Sequence, residues 1–147
     1  MKTQLLMLAA LSSLAACAAP DKSADAMPPL GGSLEGGPWL IESINGVKVD
    51  PKVRADLTFE PGDQNTSMVF GTGGCNRLRG GWQQNGTTIK LGPIAGTMMM
   101  CEPEKMAVEQ KVLKGLEAAT MVGFAADGSA MLKSPDGGVM VLRREKK

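Results

Sequence analysis

Histidine is missing from this 147-residue chain, and so is tyrosine. The first absence removes the commonest general base and the commonest metal ligand together, so histidine-based triads and histidine-ligated zinc sites are excluded. The second leaves two tryptophans and three phenylalanines as the whole aromatic complement. A core must then be filled by Leu, Val and Ile, with methionine taking over aromatic-sized packing. Charge of one sign is also lacking: 16 Lys and Arg face 15 Asp and Glu. The charge pattern gives no footprint for nucleic acid or an anionic membrane. With 43% hydrophobic residues the chain is sized for one core.

What is present begins with an address. One cation, Lys2, precedes an apolar run from Leu5 to Leu14 that is too short to span a bilayer and ends in small residues. Leu14, Ala15, Ala16 and Cys17 match a bacterial lipobox, so residues 1–16 are expected to be a lipoprotein signal peptide and Cys17 the acylated residue. Cleavage after Ala18 at an ordinary signal-peptidase site is the alternative. Several acyl chains anchor stably without any spanning segment. Ala18 is not the aspartate of inner-membrane retention, which favours the outer membrane, with the domain facing the periplasm. Residues 17–37 are rich in Ala, Pro, Gly and Ser and read as the lipidated Cys and a flexible tether; residues 38–147 form the domain.

Three cysteines make an odd count, which the lipobox resolves. With Cys17 acylated, Cys75 and Cys101 remain as one pair in an oxidising compartment, where a disulfide is the default. A free nucleophilic or redox-sensing thiol is the functional alternative, and it lacks a histidine base.

From Trp39 onward, short apolar segments alternate with turn signals such as Asn45-Gly46, Asn85-Gly86 and Asp127-Gly128, predicting about eight antiparallel strands. The stretch 102–119 is different. Pro103 suits a first helical turn, Glu102 and Glu104 oppose the positive end of the dipole, and Val108, Val112, Leu116 and Ala119 recur at helical spacing beside Leu113. Lys105, Glu109, Lys111 and Lys114 are expected to face water. The fold class is therefore α+β, a strongly curved antiparallel half-barrel with one amphipathic helix packed against it.

Two blocks, "GTGGCNRLRGGW" from Gly71 to Trp82 and "GPIAGTMMMCEPEKMAVEQ" from Gly92 to Gln110, with the leading "WLIESING" from Trp39, resemble the META domain of the HslJ-like family. The resemblance implies a compact, mostly β domain with one helix, frequent on bacterial envelope lipoproteins. Some members are linked to heat-shock induction and to resistance to the hydrophobic antibiotic novobiocin, and no established enzyme activity is implied.

Candidate sites follow. Gly73 and Gly74 with Asn76 read first as an architectural turn; with Arg77 and Arg79 they offer an anion or partner contact. Met98 and Met100 would share one side of a strand and could hold Cu(I), while core packing is the simpler role. Glu102 and Glu104 are an acid pair without an oriented base. The expected function is a non-catalytic, cofactor-free, metal-free lipoprotein that supports envelope integrity or stress tolerance through an unknown envelope protein or lipid. The alternative is a carrier of a small hydrophobic ligand, for which an unfilled cavity would speak.

Overall fold

The computed structural model describes residues 32–63 and 67–146; the signal segment, Cys17 and the chain up to residue 31 lie outside the described residues. The strands are β1 Gly36–Ile44, β2 Val47–Lys48, β3 Asp56–Glu60, β4 Met68–Thr72, β5 Arg77–Asn85, β6 Thr88–Leu91 and β7 Ala95–Gly96, then β8 Met121–Phe124, β9 Ala130–Lys133 and β10 Val139–Arg144. One helix, α1 Pro103–Ala118, separates β7 from β8.

Eight of these strands run in the order β10-β9-β8-β6-β5-β4-β3-β1, and β10 also pairs with β1, so the sheet closes on itself. The short β2 and β7 hang on β1 and β5. The curved antiparallel sheet with one helix is as the sequence predicts, but a half-barrel stops one pairing short. β1 is nine residues long and carries a register shift between Ile41 and Ser43, which lets it bend from β3 on one side to β10 on the other. The thinnest joint is β6 to β8, where only Thr88 and Met121 face each other.

Alternation puts Leu78, Gly80 and Trp82 of β5 inside and Arg77, Arg79 and Gln83 outside. Phe59 packs edge-on against Trp82 with ring centroids 5.1 Å apart, and the indole N–H groups of Trp39 and Trp82 donate to the carbonyls of Leu34 and Glu60. Three of the five aromatics are thus buried, whereas Met140 is the one buried methionine among the described residues. The expected substitution of methionine for aromatic bulk does not occur: two tryptophans and a phenylalanine suffice for a ring this narrow.

The domain also begins earlier than residue 38. Leu34 is fully buried, its N–H donates to Gln84 Oε1 at 3.0 Å, and Gln84 Nε2 donates to the Gly32 carbonyl at 2.9 Å. A lone leucine among glycines has no periodicity to betray it.

Helix α1 has Pro103 in its first turn and Glu102 at the N-cap position, paired with Lys105 at 3.0 Å. Val112, Leu116 and Ala119 are buried and Val108 and Leu113 pack partly against the core. Glu109 departs from the expectation, being buried and not solvated.

At the β8–β9 turn, Asp127 accepts from the Ser129 N–H and hydroxyl and from Arg143 Nη1. The Ser129 hydroxyl, then its N–H, then Arg143 pull the carboxyl down to about 2. A depressed folded-state pKa contributes stability that is present above the unfolded value and lost as pH falls through the folded one. The melting-temperature gap between wild type and Asp127→Ala should therefore hold from neutrality to about pH 5 and narrow as pH falls through about 2. A gap that stays constant over that range would refute the carboxylate's part in the turn.

Candidate functional site

The turn between β4 and β5 is built for close approach. Gly74 sits at φ +124°, and a Cβ at Gly73 would lie 2.9 Å from Glu109 Cγ, so two glycines let α1 press its flank onto the turn. Glu109 fills the space created. Its Oε2 accepts the backbone N–H groups of Cys75 and Asn76, and its Oε1 accepts Asn76 Nδ2 at 2.8 Å. Consecutive N–H groups at a glycine turn form an anion-binding concavity. Here the anion is the chain's own carboxylate, with no cation within ion-pair distance among the described residues.

Asn76 is 3% exposed and its side chain is used completely. Its Oδ1 accepts from Thr97 Oγ1 at 2.9 Å and Met99 N at 2.7 Å, while Nδ2 donates to the Met99 carbonyl at 3.2 Å as well as to Glu109. One amide thus ties the β4–β5 turn, the helix and the segment after β7 together. The Thr97 hydroxyl further accepts the Arg77 N–H, and the Thr97 N–H donates to the Arg77 carbonyl. Cys75 and Cys101 are bonded, with Cα atoms 5.9 Å apart, closing the same segment from its other end. Asn76 is therefore not available as an outward contact, contrary to its sequence-level candidacy; it is the internal hub that Glu109 completes.

What this frame presents is apolar. Met98 is 98% exposed, Met100 94% and Met99 56%, so the three methionines are neither core packing nor gathered into a closed metal cage. Both remaining cysteine sulfurs are consumed in the bridge, which leaves thioethers alone as soft ligands. Beside the loop, Arg77 and Arg79 project from the outer face of β5, with Thr72 opposite the first and the partly exposed Phe70 opposite the second. Every other described arginine is engaged. Arg54 holds Asp56 and Glu145, Arg143 holds Glu42 and Asp127, and Arg144 donates to the Glu35 carbonyl and lies 4.4 Å over the Trp39 ring. Arg77 and Arg79 have no side-chain partner among the described residues. Glu102 and Glu104 are both exposed at the helix start, and Glu102 is held by Lys105.

Glu109 is the residue that sequence reasoning missed, although the signal was there. Positions 109, 112 and 116 are spaced i, i+3 and i+7, so Glu109 lies on the apolar stripe and not opposite it. An acid on a buried stripe demands donors.

A META domain sequence profile matches residues 32–147. Among solved structures, the chain is similar to an NMR structure of a protein from Burkholderia xenovorans, at 20% identity and TM-score 0.68, covering 88% of this chain and 99% of that one. A second NMR structure is similar at 21% identity and TM-score 0.59, covering 76% of this chain and 91% of that one. These likenesses show a shared fold. No curated protein sequence matches significantly. From its early buried Leu34 to its closing strand, the chain belongs to the META domain family.

Proposed function

We propose that this META-domain protein is a non-catalytic lipoprotein, acylated at Cys17 and held at the periplasmic face of the outer membrane. It supports envelope integrity under heat or hydrophobic antibiotics such as novobiocin by contacting an envelope component, with no substrate turned over and no cofactor required. The observation that carries this reading is the frame around Met98–Met100. A disulfide, a fully used buried amide and a buried carboxylate all serve to hold an apolar loop out in water. Exposed apolar groups held in this way mark a contact surface. The carrier alternative needs an open interior, and the inside of the ring is occupied by Trp39, Leu57, Phe59, Trp82 and Leu142.

Deletion should lower survival under heat or novobiocin, and the wild-type gene should restore it. Cys17→Ala should fail to restore it although the domain still folds, whereas Arg77→Ala, Arg79→Ala or Glu102→Ala alone should cause partial defects. Mass spectrometry of the mature N-terminus checks acylation directly. Full rescue by an unanchored chain overturns the proposal.

A further inference from the structure

We infer that Met98 and Met100, backed by Arg77 and Arg79, form a patch that rests on the anionic phospholipid surface of the bilayer holding the anchor. This deepens the proposed function and rests on it for the anchor alone. The near-zero net charge of the chain conceals the patch, because elsewhere the described arginines are engaged by carboxylates or by a carbonyl and a ring, and here they are not.

Three observations favour a lipid surface over a shaped protein partner. First, the methionines project from a convex loop almost without contact, and unbranched, flexible side chains suit a fluid apolar phase. Second, Arg77 and Arg79 lie on one strand face with Cα atoms roughly 7 Å apart, and neither guanidinium is held by a carboxylate among the described residues. The nearest acid along the chain, Glu102, is bound by Lys105 at 3.0 Å. Guanidiniums bind phosphate oxygens, and the apolar tip enters at the level where those phosphates end.

Third, the reach is right. The described chain enters at Gly32 and Leu34, bound to Gln84 at one end of β5, while Arg77 stands at the other end of that nine-residue strand. The strand is about 30 Å long. The stretch between Cys17 and Gly32 can extend to about 50 Å, enough for the domain to lie on its side with the patch against the bilayer. Two cations and two methionines bind weakly on their own. The anchor turns their contact into an intramolecular event, at an effective concentration on the order of millimolar, where weak contacts suffice.

The test uses the acylated mature protein in vesicles of phosphatidylethanolamine and phosphatidylglycerol containing a paramagnetic doxyl lipid. The methionine methyl groups carry a carbon-13 label. Expected is strong broadening of the Met98 and Met100 methyl signals and none of Met140, which is buried. The broadening should be lost in phosphatidylcholine vesicles and in high salt. Arg77→Ala with Arg79→Ala should weaken the contact roughly 30-fold while leaving the melting temperature unchanged. Met98→Gln with Met100→Gln should abolish it without altering charge, read there as loss of the Met99 signal broadening. Equal broadening in neutral vesicles, or none at all when mass spectrometry shows acylated Cys17, overturns the inference. So does protection of these methyls by a purified envelope protein in the absence of lipid. If Cys17 proves unacylated, the proposed function fails separately, and broadening of the same methyls when the unacylated chain is added to concentrated anionic vesicles still decides the patch.

Discussion

Replacing Glu109 with alanine should lower the unfolding free energy by about 4 kcal/mol, a large part of the 5–15 kcal/mol typical of a domain. The cost arises because the variant strands three N–H donors, those of Asn76 N and Asn76 Nδ2 in a buried place and that of Cys75 N in a part-buried one. Glutamine is no remedy. It keeps one acceptor oxygen but turns an NH2 group toward a donor, so Glu109→Gln should recover less than half of the loss. Asn76→Asp should be at least as damaging, since a second carboxylate would face Glu109 Oε1 and the Met99 carbonyl that Nδ2 now serves. Urea denaturation midpoints measure all three. A Glu109→Ala variant within about 1 kcal/mol of wild type would show that the carboxylate is not holding the turn.

Removing the bridge with Cys75→Ala and Cys101→Ala should destabilise the domain by about 3.5 kcal/mol, from the entropy that the closed loop takes out of the unfolded chain, given a sequence separation of 26. For a domain of this size that corresponds to a fall of roughly 10–20 °C in melting temperature. The loop should nevertheless stay seated, because Asn76 still holds Thr97 and Met99. Amide exchange should separate the two contributions: Met99 N–H remains protected in the bridge-less variant and loses protection in Asn76→Ala. Since Cys75 N–H also donates to Glu109, the bridge and carboxylate variants share a neighbour and should depart from additivity by at least about 0.5 kcal/mol. Identical melting with and without reductant would refute the bridge's contribution.

The hairpins and the helix were legible because their signals are local. Asn45 and Gly46 both adopt positive φ, as the turn chemistry of that dipeptide predicts, and the stripe Val112, Leu116 and Ala119 goes where its period points. The cysteine pair was legible by counting. The features that escaped depend on partners distant in sequence. Leu34 is buried where Gln84, 50 residues away, brackets it. Glu109 by residue type belongs in solvent, and by position it belongs on the buried stripe, where the structure has it. Composition calls for methionine as core volume, yet the loop at 98–100 is tied to residues 75 and 76 and its methionines stand in solvent. Which strands would form the last pair of the ring is set by global curvature, and no single segment encodes it.

That last pair has a consequence for how the chain comes to be folded. Trp39 faces Arg144 and Leu40 faces Arg143, partners more than 100 residues apart. The chain is made from its N-terminus, so β1 is present early and has no β10 to pair with until nearly the whole chain is there. Until then it offers one unsatisfied edge and β9 offers another, and exposed edges of this kind recruit strands from other molecules. Pairings of such high contact order form slowly, since the loop must close before any bond repays it. A chain stopped short of Val139 is thus not a smaller barrel. It is an open ribbon with two adhesive margins, and folding is withheld until the final strand arrives.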